Sequence, residues 1–173
     1  MNVAIFIPPR DFRDETVSKA KLLMEKWNVK PVIVSYSTKD CVGYHGAVYK
    51  TDQNAAKVDA KEFDAILLVD GVGIEDYKLY DFRPLLELIK SFKNNGKIIA
   101  AIGNAVKIVT RSNIITDVQI AAPVDEETKR YIRIYRGNES ESDVEFDKNI
   151  LTAKNSDNVD SFIDTLLDKL GAK

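Results

Sequence analysis

Four short runs of aliphatic residues punctuate this chain, each too short for a buried helix and too continuous for a strand with one wet face. They are residues 3–8 (VAIFIP), 31–36 (PVIVSY), 63–69 (FDAILLV) and 97–102 (KIIAAI). Runs of this kind read as strands buried on both faces, the usual situation in a parallel sheet. Between the first two, residues 14–27 place Val17, Ala20, Leu23, Met24 and Trp27 at intervals of three and four. Asp14 and Glu15 stand at the start of this segment, where a helix dipole favours acid, so an amphipathic helix is predicted. Residues 85–92 present a second helical face, ended by Asn95-Gly96. Strands alternating with helices at this spacing predict an α/β fold, a doubly wound, mostly parallel sheet with helices on both faces.

Residues 41–52 (CVGYHGAVYKTD) alternate around Gly43 and Gly46 and predict a small β-hairpin. Further on, residues 114–122 read as one or two strands, residues 125–131 as helix and residues 131–135 (YIRIY) as an alternating strand. Residues 137–143 (GNESESD) read as an exposed turn, residues 150–153 as a last strand and residues 159–170 as a closing helix. With no internal repeat or low-complexity tract in 173 residues, a single domain spanning residues 1–173 is expected.

Charge removes several functions. Twenty-five Lys and Arg against 27 Asp and Glu provide no basic field for nucleic acid or an anionic membrane surface. No apolar run approaches the ~20 residues of a membrane span, and the first residues lack the basic start and cleavage site of a signal peptide. The single cysteine, Cys41, cannot close a disulfide within the chain, which suits a reducing interior and points to the cytoplasm.

In doubly wound folds ligands meet the carboxyl ends of the strands. Residues 10–15, residues 70–73, Gly103–Ala105 and the turn beyond Ala153 are therefore the informative places. Of these, residues 98–109 (IIAAIGNAVKIV) are the most telling, because a strand runs directly into a sharp turn and then a helix. Such an elbow holds its turning residue at an unfavourable backbone angle, so that the side chain stands exposed above the sheet. Here the turning residue is Gly103, which has no side chain to present.

Around this elbow the chain resembles the ThiJ/PfpI superfamily of intracellular proteases, glyoxalases, deglycases and chaperones. The resemblance rests on Gly43-Tyr44-His45-Gly46, Val48, Lys50, Asp52, Lys57-Val58 and Glu62-Phe63-Asp64-Ala65 leading into Gly71. That order is similar to the family's GKHG, VKVD, KV and EFDA segment ending in a PGG turn. Phe6, Phe12 and Asp14 resemble its first strand and loop, and residues 149–154 with the last helix resemble its final elements. The resemblance implies a flavodoxin-like fold and a homodimer or higher homo-oligomer. It also implies an elbow of the form A-x-I-C-H-G with a cysteine nucleophile. Residues 100–105 (AAIGNA) place Gly103 at the Cys position and Asn104 at the His position. The family's acidic partner of that Cys falls on Arg13 or, with a gap, on Glu15. Asp70 and Val72 take the places of the proline and second glycine of the PGG turn, whose N–H faces the oxyanion site.

A strained angle is costly for Cys and nearly free for Gly, so the elbow can persist without its chemistry. Neither Gly nor Asn supplies a low-pKa thiolate or the usual proton carrier. The leading expectation is a catalytically degenerate binding or assembly protein whose vestigial pocket comprises Glu15, Gly71, Val72, Gly103 and Asn104. Its rival is a hydrolase or a glyoxalase- or deglycase-type enzyme using Glu15 or Cys41. A third reading is a sensor whose N–H groups around Gly103, Asn104 and Val72 hold a small anion.

Other residues are read more plainly. Cys41 lies in the hairpin segment and reads as a small buried hydrophobe. His45 has no second His or Cys beside it, so it reads as a structural histidine, and no metal or other cofactor is expected. Asp70 with Lys154 resembles the acceptor and lysine of response-regulator receivers. The first strand, however, runs into Pro8-Pro9-Arg10 rather than an acidic pair for Mg²⁺. Tyr44, Tyr49, Tyr77 and Tyr80 lack interleaved basic clusters for base stacking. Asp11, Asp14 and Glu15, mixed with Arg10 and Arg13, read as solvated charge pairs.

Overall fold

The computed structural model describes residues 1–173. The chain opens with β1 (Asn2–Phe6), β2 (Arg10–Phe12), α1 (Asp14–Lys26) and β3 (Lys30–Ser35). The hairpin β4 (Cys41–Gly43) and β5 (Val48–Tyr49) precedes β6 (Gln53–Asn54) and β7 (Ala65–Leu68). Next come α2 (Gly73–Asp76), α3 (Arg83–Asn94), β8 (Ile98–Ile102) and α4 (Val106–Arg111). The last third holds β9 (Gln119–Ala121), α5 (Glu126–Ile134), β10 (Asn138–Ser140), β11 (Val144–Asp147), β12 (Ile150–Ala153) and α6 (Val159–Lys169).

The main sheet has the order β11-β12-β8-β7-β1-β3-β6, and every pairing is parallel except β11 with β12. Its strands are continuous apolar runs because both faces are covered. Ala4, Phe6, Ile66, Leu68, Ile99 and Ala101 point to one core, roofed by Leu85, Leu88, Ile89 and Phe92 of α3 and by Val106 and Val109 of α4. Val3, Ile5, Ala65, Leu67, Ala100 and Ile102 point to the other, covered by α1 and α6 through Val17, Ala20, Met24, Phe162 and Leu166. The predicted hairpin forms, with Cys41 opposite Tyr49, and β2 joins it as a third strand in parallel with β4.

The structure departs from the sequence reading in the last third. Residues 131–134 belong to α5 and Tyr135 caps its end, so no strand forms there. Asp125 caps that helix by accepting the Thr128 N–H, and Thr128 and Ile132, four apart, are its buried residues. The alternation in YIRIY is incidental, since Ile134 is 57% exposed. The stretch read as an exposed turn begins with β10, which pairs in parallel with β9. The antiparallel edge strand β11 is half-buried along its whole length, which is why no apolar run announces it.

Candidate functional site

The carboxyl ends of β7, β8 and β12, with Asp11 of β2, the start of α1 and the turn of the hairpin, line a cavity of about 590 Å³. Glu15, Gly71, Val72, Gly103 and Asn104, named from sequence, all line it. So do Asp70, Lys154 and His45.

The elbow has the predicted geometry. Ile102 is extended (φ −124°, ψ 143°), Gly103 turns the chain at φ 58°, and Val106 is already helical. A left-handed residue costs an L side chain roughly 1–2 kcal/mol, which glycine avoids. A Cβ on Gly103 would also stand 3.1 Å from both Cβ and Oδ2 of Asp70. The Asp70 carboxyl therefore packs against the place where an elbow side chain would begin.

Asp70 is the chemically distinctive group of the cavity. It is only 6% exposed, and its Oδ1 accepts the Thr16 hydroxyl at 2.8 Å. Burial pushes its pKa up to about 6, against the opposing effects of the Thr16 hydrogen bond and the nearby Arg13 charge, while Glu15 adds to the rise. Sequence reasoning weighed Asp70 as a phospho-acceptor partnered by Lys154 and as the residue replacing the proline of the PGG turn. The signal that marks it is a carboxylate closing a run of fully buried residues, Ala65 to Val69.

The two candidates for the acidic position, Arg13 and Glu15, both line the cavity and pair with each other. Glu15 is half exposed and pairs with Arg13 at 3.6 Å and Lys19 at 3.3 Å. Asn104 is likewise committed elsewhere, because its Oδ1 accepts the Gly71 N–H at 3.0 Å and its Nδ2 donates to the Gly71 carbonyl at 2.7 Å. The two bonds join the elbow to the loop after β7. Gly71 is fixed there at φ 145°, where a Cβ would lie 2.4 Å from the Asp11 carbonyl oxygen. Asn104→Ala is expected to cost about 1–3 kcal/mol, the usual penalty for leaving partly buried polar groups unpaired, measurable by urea denaturation. The Val72 N–H makes no hydrogen bond within the protein and remains a free donor beside Asp70.

His45 does not sit in a purely structural place. Its backbone N–H donates to Asp14 Oδ1, its ring meets Tyr44 edge-on, and it lines the cavity. Asp14 leaves the carboxylate group envisaged with Asp11 and Glu15, because it also accepts the Ala47 N–H and fills the space beside Gly43. Cys41 is buried against Thr51, away from the cavity. Asp70 and Lys154 do share the cavity, but no group of three or more His, Cys, Asp or Glu is arranged to hold a metal ion.

Behind the elbow, the buried Lys107 of α4 binds Glu75 of α2 at 2.7 Å and Glu127 of α5 at 3.2 Å, with its ammonium 4.0 Å from the Tyr80 ring centre. This network ties the helix that leaves the elbow to the one that follows Val72, fixing both sides of the cavity.

No helix is long and apolar enough to cross a membrane. Comparison with known proteins agrees with the geometry. The chain is 31% identical over 159 residues to Uncharacterized protein MJ0967 of Methanocaldococcus jannaschii, covering 90% of this chain and 75% of that protein. A ThiJ/PfpI domain protein from Brachyspira murdochii superposes with a TM-score of 0.91 at 26% identity, covering 99% of this chain and 97% of the other. The DJ-1 superfamily protein Atu0886 from Agrobacterium tumefaciens shares the fold, with a TM-score of 0.83 at 21% identity over 100% of this chain and 91% of its own. The model of the DJ-1/PfpI family matches residues 1–169, and the chain belongs to that family.

Proposed function

We propose that this DJ-1/PfpI protein binds a small polar molecule in the cavity and does not carry out cysteine-dependent chemistry. One observation supports this above all. The elbow residue is Gly103, which carries no side chain, and a Cβ placed there would stand 3.1 Å from both Cβ and Oδ2 of Asp70. Chemistry that proceeds through a thiolate at the elbow has no attacking atom, and Cys41 is buried outside the cavity. In this reading the protein is a cytoplasmic homo-oligomer, with Val72 and Val124 exposed at the cavity as apolar surface for a second copy. Light scattering on the purified protein tests the oligomer.

The functional test is turnover of methylglyoxal and of a fluorogenic peptide. Wild type is expected to match the buffer blank, and Cys41→Ala and Glu15→Ala to match wild type. Turnover that either substitution abolishes overturns the reading. The alternative, a hydrolase or a glyoxalase- or deglycase-type enzyme with a non-standard site, draws on the Asp70 pKa of about 6, which suits a proton carrier near neutrality. In that case wild type turns over substrate and Asp70→Asn does not.

A further inference from the structure

Two charged groups on the cavity wall, Asp70 and Lys154, form no salt bridge within the protein. No hydrogen bond within the protein reaches Asp70 Oδ2, although Oδ1 is held by Thr16. Every fully buried side-chain polar atom has a partner, so Oδ2 keeps access to the cavity that Asp70 lines. Lys154, on the wall formed by the turn after β12, donates its Nζ only to the Glu141 carbonyl, at 3.3 Å, and pairs with no carboxylate. The other fixed cation there, Arg13, is already paired with Glu15.

We propose that the cavity recognises a free amino acid, with the ligand ammonium received by Asp70 Oδ2 and the ligand carboxylate by Lys154. This rests on the small-molecule reading above and names its ligand class. A largely buried carboxylate is costly unless a donor or cation meets it, and an ammonium group supplies both. The same carboxylate repels a simple anion placed at the elbow, which turns the ligand's carboxylate toward Lys154. A cavity of about 590 Å³ leaves room for a side chain beyond the two charged ends.

The groups around Asp70 set the pH response. Thr16, Arg13 and Glu15 act on it from α1 and its lead-in, and Asp11 of β2, His45 of the hairpin and Lys154 of the turn after β12 line the same cavity. With Asp70 titrating at about 6, its carboxylate is present near pH 7.5 and largely protonated near pH 5. Affinity for an ammonium is then expected to fall about tenfold between those values, while the ligand carboxylate stays ionised.

The experiment is calorimetric titration of the purified full chain with glycine, L-serine and L-glutamine, alongside acetate, ethylamine and glycolate, near pH 7.5 and near pH 5. At least one amino acid is expected to bind about tenfold or more tightly than acetate and ethylamine, which each lack one end. Glycolate, with a neutral donor, falls between them. Asp70→Asn is expected to lower amino-acid affinity about tenfold and flatten its pH dependence, whereas Lys154→Met lowers it comparably and leaves the pH dependence in place. Equal binding of acetate, failure of all three amino acids to saturate, or full affinity in Asp70→Asn overturns the assignment. These outcomes leave the non-enzymatic reading standing, whereas methylglyoxal or peptide turnover abolished by Cys41→Ala or Glu15→Ala overturns that reading without altering the affinities.

Discussion

Asp70→Asn is expected to stabilise the folded protein by about 2–3 kcal/mol near pH 7.5, even though it removes the most distinctive group of the cavity. The cause is the cost of keeping a largely buried carboxylate ionised. Its pKa rises from 3.8 unfolded to about 6 folded, roughly two pK units at about 1.4 kcal/mol each. Because the folded state holds the proton more tightly, this group's contribution to stability is fully present below about pH 4 and is lost as pH rises through 6. Asparagine is neutral throughout and can still accept the Thr16 hydroxyl, so the variant avoids that loss. The two proteins should therefore unfold alike below about pH 4, diverge as pH rises to about 6 and keep a constant difference above it. For a chain of this length the gain corresponds to a midpoint about 5–10 °C higher near pH 7.5. Thermal and urea denaturation across pH 4 to 8 measure the difference, and other titrating groups cancel between the two proteins. A variant no more stable than wild type near pH 7.5 would mean that Asp70 is not strained by ionisation. A destabilising group on the wall of a binding cavity is what a stability–function trade-off looks like at the level of one side chain.

How much of this was legible in the sequence follows from what each pattern physically encodes. The central strands were readable because burial on both faces leaves an unbroken apolar run, as in residues 63–69 and 97–102. The elbow was readable because a strand, a glycine and a helix follow one another without a linker, and Gly103 turns at φ 58° as expected. The half-buried edge strand β11 was not readable, since VEFD gives neither a continuous run nor a strong alternation. Residues 131–135 misled because an alternating pentapeptide fits a helix as well when only Ile132 among them is buried, and the cap at Asp125 decides the matter. For the site, position along the chain identified the right loops but not the right chemistry. Glu15 matched an acidic position by register, yet its carboxylate lies among surface cations. Asp70 replaced a proline by the same register, and nothing local in the sequence says that its carboxyl turns inward beneath the elbow. Asn104, judged by the proton it cannot carry, proved to be the clasp on Gly71.

Gly103→Cys, the substitution that puts a thiol at the elbow, is expected to destabilise the protein by about 2–5 kcal/mol and to yield a poorly reactive thiol. About 1–2 kcal/mol comes from placing an L side chain at φ 58°, and about 1–3 kcal/mol from overpacking. The overpacking is specific, because the new Cβ would meet Asp70 Cβ and Oδ2 at 3.1 Å. Beside a carboxylate that repels a thiolate, the thiol ionises less readily than it would without Asp70, and a thiol is a weak nucleophile until it does. Combining Gly103→Cys with Asp70→Gly removes both the clash and the negative charge. The double variant should recover the overpacking share of the loss while keeping the backbone share, and its thiol should react faster with a disulfide reagent such as dithionitrobenzoate. Buried Cys41 supplies the unreactive reference within the same molecule. Denaturation and thiol titration on wild type, the single variant and the double variant separate the two contributions. If Gly103→Cys alone were as stable as wild type and its thiol as reactive as that of the double variant, Asp70 could not be what fills the elbow. If the double variant recovers stability and reactivity together, one carboxylate accounts for both the absent side chain and the altered chemistry of this pocket.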